Sequence, residues 1–534
     1  MLIEKCYFVA YRTYTFKDGT LITMYSRVLP FSLRDPAWFA FVVSLLLSII
    51  NIVSDDNINP DGILYVETAR LFLEQGWQAS IAHYKWPFYS IIIAGFSKLT
   101  WLDFETSAHV LNVLLLGLMA YVFVRCSQAL GGDRRVAFFA AILLLTNIVL
   151  NEYRDLIVRD AGYWAFFFTA VLLFLRYNNT GKNKYLIGSS FAMILATLFR
   201  IEGSVFIILM PLLLIFQAGS VRERLYSCFV ALLPMLIGAV GVVIYIVLSS
   251  SNDVGRLFAG LNFLQGALAS ISYGIAEKAQ SIALIMGNGN RSLGSESVLA
   301  ILFMILISKT YNVVGFVAAL FSYLTLNSSA QRQKINGLGI LIGIIGINLI
   351  VLIVFLLSKS FLSSRYVITF GLLITLLAPF SLAAFFSDEL EQKFLQSKAW
   401  QRRVKIFISL IFVYTLLDGV ISLSASKSYL RESGVWLKNN IAADEKLWSN
   451  ETSLYYYSDR YVDRPKVKLL RRKTHQQQLP YIGIIERNNF DYLAVKVKHK
   501  QKGFEDRIIA WLDRRPIHQT SNERGDKVLI FKLK

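Results

Sequence analysis

Long apolar runs alternate along this chain with short loops rich in Lys and Arg. The first run, 37–53, nearly crosses a hydrocarbon layer of about 30 Å if it is helical, at about 1.5 Å per residue. Further runs lie near 107–124, 135–150, 161–176, 184–199, 203–217, 227–249, 311–326, 337–357, 366–386 and 404–423. Together they predict about eleven transmembrane helices. The stretch 87–102 is apolar but short and carries Lys98, so it predicts a re-entrant or interfacial helix. Between it and the first span, an amphipathic helix is predicted from Gly62 to about Gln75. Its apolar positions Ile63, Val66, Leu71 and Leu73 are expected to lie on the lipid surface. A later loop, 250–310, contains two further stretches with the pattern of surface helices, 256–285 and 296–308.

Charge orients these elements. Lys5, Arg12, Lys17, Arg27 and Arg34 precede the first span. Arg125, Arg134 and Arg135, then Arg176, Lys182 and Lys184, Arg222 and Arg224, Arg332 and Lys334, and the cluster 393–405 fall between alternate pairs of runs. Positive charge stays in the cytoplasm. Residues 1–36 are therefore a cytoplasmic N-terminal segment, and the loops 54–86, 151–160 and 250–310 lie outside. A full crossing by 87–102 would turn every later basic cluster outward, which favours the re-entrant reading. The first 30 or so residues are polar and mixed, so the first span reads as an uncleaved signal anchor.

The pattern changes at Ser424, where apolar runs shorten and charge density rises. Residues 424–534 predict a small soluble α/β domain outside the membrane, with helices over 433–441 and 504–514 and strands over 446–449, 490–497 and 527–533. The fold class is a polytopic α-helical membrane protein whose transmembrane domain covers 37–423, followed by this extracytoplasmic domain.

Composition agrees with that class: 534 residues, 55% hydrophobic and 17% charged, are too apolar for a single soluble core. The net charge of +19 sits largely in the loops that set topology, so nucleic acid is not the expected partner. Cys6 and Cys126 fall on the cytoplasmic side and Cys228 near the start of a span, which leaves no disulfide outside. Without an ER-retention signal, a bacterial inner membrane with a periplasmic tail is expected. His83, His109, His475, His499 and His518 lack metal-ligand spacing. Asn450-Glu451-Thr452 matches a glycosylation sequon, and Tyr455-Tyr456-Tyr457 reads as core or as a surface for stacking on sugar.

Chemistry concentrates where the first span emerges. Asp55, Asp56 and Asp61 lie just beyond it, Lys85 precedes the return to the membrane, and Arg159-Asp160 reaches the same face between later spans. Carboxylates and cations gathered at one membrane surface suit chemistry on a lipid-borne substrate. Each residue also has a plainer reading. Asp55 and Asp56 are then simply solvated, Asp160 caps the helix beginning at Ala161, and Lys85 snorkels at the interface. Arg200 and Glu202 form a structural ion pair, and Arg365 anchors the end of a span.

The order of these parts resembles the GT-C superfamily of membrane glycosyltransferases, of the protein O-mannosyltransferase and lipid A aminoarabinose transferase type. The resemblance rests on Asn59-Pro60-Asp61-Gly62-Ile63-Leu64-Tyr65, Tyr84-Lys85-Trp86-Pro87-Phe88-Tyr89 and Leu156-Ile157-Val158-Arg159-Asp160. Leu198-Phe199-Arg200-Ile201-Glu202-Gly203 is similar to the family's Leu-x-Arg-x-Glu-Gly turn, and Arg365-Tyr366 to its late Arg-Tyr. Gly62 stands where a second acid is common, and Trp86 where a proline is common. The resemblance implies inverting transfer of a sugar from a polyprenyl-phosphate donor to a glycan, lipid or protein acceptor at the outer membrane surface. In that reaction Asp61 is the general base and Asp160 orients the sugar or shares a divalent metal ion. Lys85, Arg159, Arg365, Tyr65, Arg200 and Glu202 make the substrate site. The sugar and any need for metal stay open. Two other classes compete: a transporter or flippase, and a lipid-linked oligosaccharide ligase or polymerase. A transporter places ionisable groups near the bilayer midplane, whereas this chain keeps them at span ends, Asp418 excepted.

Overall fold

Pro60 begins a helical stretch that runs to His83 with a break at Gly76, whose φ is 83°, and stands in the position where a missing N–H costs nothing. The computed structural model describes residues 35–54, 57–217, 219–248, 275–282, 284, 293–387, 398–419, 426–462 and 490–534, with the backbone of strands β1 (Tyr11–Thr15) and β2 (Leu21–Tyr25). Asp55, Asp56, Cys6, His475 and most of the expected surface helix 256–285 lie outside the described residues.

The chain is an integral membrane protein. Among the described residues, helices Pro36–Ser54, Phe104–Ala129, Gly294–Val314 and Leu338–Lys359 are long and apolar enough to cross a membrane. Ser364–Thr375 and Ala378–Phe386, bent by 49° at their junction, make a fifth if they form one broken span. Length and composition thus account for fewer spans than the eleven expected. The other apolar runs are helical as well, as in Asp160–Thr180, Asn183–Phe199, Val221–Leu248 and Lys398–Asp418. Phe88–Thr100 has 13 residues and is about 20 Å long, too short to cross.

Three elements depart from the sequence expectation. Helix Pro60–His83 starts two residues early, so Asp61 lies in its first turn and not on a loop. Ile63, Val66 and Leu71 are buried inside the protein and only Leu73 is exposed, because this face packs on helices Phe88–Thr100 and Thr452–Tyr457 instead of lipid. In place of a surface helix over 296–308, one apolar helix spans Gly294–Val314. It stops at Gly315, whose φ of 74° suits glycine, and the chain resumes as Phe316–Asn327.

Two compact units result. One comprises Met1–Leu47, Val113–Tyr153 and Arg159–Val420. In it, helices Asp160–Thr180 and Asn183–Phe199 pack so closely that a Cβ on Gly162 would strike the Phe199 ring. The other comprises Ser48–Asn112, Arg154–Val158 and Ile421–Lys534. The tail therefore shares its unit with the first outer segment and does not stand apart from residue 424.

The tail carries a four-stranded sheet in the order β3 (Leu447–Ser449), β4 (Tyr492–Val497), β6 (Lys527–Lys532) and β5 (His518–Ser521). β3 and β4 run parallel, and the other pairs are antiparallel. Trp448, Leu493, Val495, Phe531 and Leu529 close its core against Phe504, Ile508 and Leu512 of helix Phe504–Leu512. Strand β5 went unread in the sequence because His-Gln-Thr-Ser has no apolar alternation.

Candidate functional site

Asn59 builds the acidic helix start. Its side-chain amide donates to the Ile157 carbonyl at 3.1 Å, and its Oδ1 accepts from the Ile157 N–H at 2.8 Å. This two-bond clasp pins segment Arg154–Val158 against the helix entrance. A Cβ on Gly62 would lie 2.8 Å from Asn59 Oδ1 and 2.9 Å from Ile157 Cβ, so the clasp demands glycine. The acid common in the resembling family has no room at this position. Asp61 sits half-buried beside the clasp, at the end of the helix where backbone N–H groups favour negative charge. Tyr65, one turn on, is buried and meets the rings of Tyr84 and Tyr89 edge-on at 5.7 and 5.2 Å. Lys85 is exposed between this helix and the next.

Further polar groups of this unit were not singled out in the sequence. Glu67 is buried and paired with Arg70 at 3.5 Å, and Arg70 reaches Asp459 at 2.8 Å. Asp459 also receives Lys438 at 3.0 Å. Hydrogen bonds from Arg70 and Lys438 hold the Asp459 carboxyl below the usual range. Arg154, buried, donates to Ser48 Oγ at 3.0 Å. Burial pushes its pKa down to about 10, which still leaves it charged at neutral pH. The Glu67–Arg70 spacing of three residues was the only available signal, and it is a weak one.

The tyrosine run is structural. Tyr457 Oη accepts from the Ile58 N–H at 3.0 Å, Tyr456 donates to Glu105 at 3.0 Å, and Tyr455 Oη accepts from the Ser449 N–H at 2.6 Å. The sequon asparagine is closed as well: Asn450 pairs with both backbone groups of Lys496, at 3.1 and 2.8 Å.

In the other unit the sequence-predicted residues gather around Arg200. This guanidinium is buried where helix Asn183–Phe199 ends. It pairs with Asp160, the first residue of helix Asp160–Thr180, and with both carboxylate oxygens of Glu202. The expected Arg200–Glu202 pair is present and has gained a second carboxylate. Asp160 is not an N-cap, a position Arg159 occupies, because its side chain turns to Arg200. Burial pulls the Arg200 pKa down, but the charges of Asp160 and Glu202 outweigh it and raise the value above the ordinary one. Burial pushes Glu202 up, and Arg200 more than offsets it, leaving its carboxyl lowered.

Tyr366 lies between two arginines. Its ring centroid is 4.3 Å from the Arg200 guanidinium carbon and 5.1 Å from that of Arg365, and Arg365 also donates to its hydroxyl at 3.2 Å. Tyr163 approaches Arg200 at 5.6 Å. Tyr153 hydrogen-bonds Ser363 and the backbone of Arg365, and burial raises its pKa. Arg365 and Arg159 are half-buried. Tyr366 was part of the Arg365-Tyr366 pair read in the sequence, but Tyr153 and Tyr163 escaped because nothing in their local spacing marks them. Among the described residues no group of three or more His, Cys, Asp and Glu that could hold a metal comes together.

This architecture has known counterparts. The crystal structure of the Archaeoglobus fulgidus oligosaccharyltransferase in the apo form is similar to 89% of this chain over 71% of its own, with TM-score 0.51 and 10% identity. The oligosaccharyltransferase AglB from that organism, in complex with an inhibitory peptide and a dolichol-phosphate, aligns over 89% of this chain and 71% of its own, with TM-score 0.49 and 10% identity. ArnT from Cupriavidus metallidurans, in the apo state, aligns over 92% and 97%, with TM-score 0.46 and 11% identity. No protein-family model and no curated protein matches the chain. At such identities the likeness is one of fold. The chain shares its fold with the Archaeoglobus fulgidus oligosaccharyltransferase, in line with the resemblance to GT-C enzymes read from the sequence.

Proposed function

We propose that this protein moves a sugar from a polyprenyl-phosphate donor to an acceptor at the outer face of the membrane, inverting the anomeric centre. The observation that carries the reading is the carboxylate Asp61 on a helix start fixed by the Asn59–Ile157 clasp and the tight seat of Gly62. A base must be held still within reach of the proton it takes. The acceptor oxygen attacks the anomeric carbon while Asp61 removes its proton. The bond from that carbon to the phosphate oxygen breaks, and the electron pair leaves with the lipid phosphate. One in-line displacement inverts the centre. Lys85 and Arg365 offset the charge growing on the phosphate, Arg by a bidentate fork. Arg159 adds positive charge, and Tyr65 lines the base. Asp160, Arg200 and Glu202 act by holding Tyr366 and, through it, Arg365.

The fold shared with an oligosaccharyltransferase agrees with sugar transfer as the reaction class. In this reading the acceptor is a glycan, lipid or protein, and the enzyme works in a bacterial inner membrane with its tail in the periplasm. The test is single-turnover transfer from a labelled polyprenyl-phosphate sugar, with a membrane extract as the acceptor source. Asp61→Asn is expected to bind donor and lose transfer at least ~100-fold. Lys85→Ala and Arg365→Ala are expected to weaken donor binding. Transfer at the wild-type rate by Asp61→Asn would end the mechanism. Loss of transfer on adding a chelator would bring a divalent ion into it.

A further inference from the structure

Helix Ser428–Asn440 of the tail presents one stripe to an open groove of about 650 Å³. Ser428, Arg431, Glu432, Val435 and Asn439 follow one another at helical spacing along it. Trp436 and His518 complete the wall as a stacked pair, with centroids 4.5 Å apart and ring planes 4° from parallel. Hydrogen bonds join the two elements that carry the pair. The Thr520 hydroxyl donates to the Tyr429 carbonyl at 2.8 Å and lies 2.6 Å from the Ser433 hydroxyl, which locks the helix to edge strand β5. The Asn440 amide donates to the Trp436 carbonyl at 2.8 Å. None of these residues takes part in the transfer chemistry.

We propose that this groove binds a saccharide, the sugar rings resting on the Trp436–His518 pair and their hydroxyls meeting Arg431, Glu432 and Asn439. The wall's chemistry selects that ligand. A fixed aromatic surface suits the C–H face of a sugar ring, while planar amide, guanidinium and carboxylate groups beside it suit pairs of hydroxyls. One cation next to one carboxylate does not favour a polyanion. Val435 is the sole aliphatic in the wall, too little to anchor an apolar helix or peptide. His518 is held below the ordinary histidine pKa by burial, so at neutral pH it joins the stack uncharged. The site goes beyond the transfer reaction, since binding here does not require a working base.

Saturation-transfer NMR on the full chain tests it, in glycolipid-free nanodiscs because sugar-headed detergents would compete. The probes are maltotriose, mannotriose and chitotriose at millimolar concentration. At least one is expected to receive saturation on its ring protons. That signal should weaken roughly fivefold in Trp436→Ala, the scale of one lost aromatic contact, and also weaken in Asn439→Ala, an exposed change that leaves the fold intact. Asp61→Asn should keep the signal, which separates this site from the transfer site. No transfer to any of the three sugars, or equal signals in wild type, Trp436→Ala and Asn439→Ala, overturns the proposal.

Discussion

Arg200 shows how far a single residue can organise buried charge. Asp160 and Glu202 neutralise it, and removing it leaves two carboxylates without their cation. Arg200→Met is therefore expected to destabilise the protein by about 3–5 kcal/mol, the cost of breaking a buried pair from one side. Thermal unfolding of the full chain in nanodiscs reads this, and Glu202→Gln should cost less because Asp160 remains. Asp459 gives a pH dependence with a definite sign. Arg70 and Lys438 lower its folded pKa, so its contribution is present above the unfolded aspartate value of about 3.9 and is lost as pH falls through the lower folded value. Acid unfolding of Asp459→Asn should be shallower than wild type below about pH 4 and parallel to it at neutral pH. A wild-type slope in the variant would remove Asp459 from the acid transition. The Arg200–Glu202 pair was legible because its members lie two positions apart. Asp160 joins from 40 positions away, and Asp459 meets Arg70 across 389. Local spacing says nothing about such meetings.

Among the elements, helix Pro60–His83 is the one whose placement governs the proposed base. Gly62→Val pushes a branched side chain into Asn59 and Ile157 and is expected to cost about 1–3 kcal/mol. Gly95→Ala is the contrast: nothing lies within 4 Å of its Cβ position, and alanine should stabilise its helix by about 0.5–1 kcal/mol. Equal melting temperatures for the two variants would mean that the clasp does not constrain Gly62. The start of this helix was available from Pro60 at its first position, yet Pro60-Asp61-Gly62 also reads as a turn. The tertiary clasp decides between them. Helix Phe88–Thr100 was legible almost to the residue, since its apolar run is bounded by Pro87 on one side and by Trp101, with φ of 63°, on the other. Gly294–Val314 was not, because Glu296 and Lys309 look like loop charges although the helix carries both.

At the scale of the molecule, positive charge placement predicts an N-terminus in the cytoplasm and the tail outside. A reporter fused after Lys534 is expected to be active only outside the cytoplasm. Cytoplasmic activity would mean that 87–102 crosses the membrane after all. Membrane character and three of the tail's four sheet strands, β3, β4 and β6, were legible because bulk hydropathy and strand alternation are local. The make-up of the second compact unit was not. It forms from Ser48–Asn112, Arg154–Val158 and Ile421–Lys534, joined by contacts such as Ile58–Tyr457 and Glu105–Tyr456 that no single segment encodes.

That three-part unit sets a timetable for biosynthesis. Residues 48–112 leave the ribosome early, but Tyr457, which receives the Ile58 N–H, is encoded 399 residues later, roughly 20–80 s away at ordinary elongation rates. For that interval the nascent helix holds an apolar face and a buried-to-be acid, Glu67, without their final cover. A stalled or truncated translation product is expected to leave that surface uncovered and open to degradation.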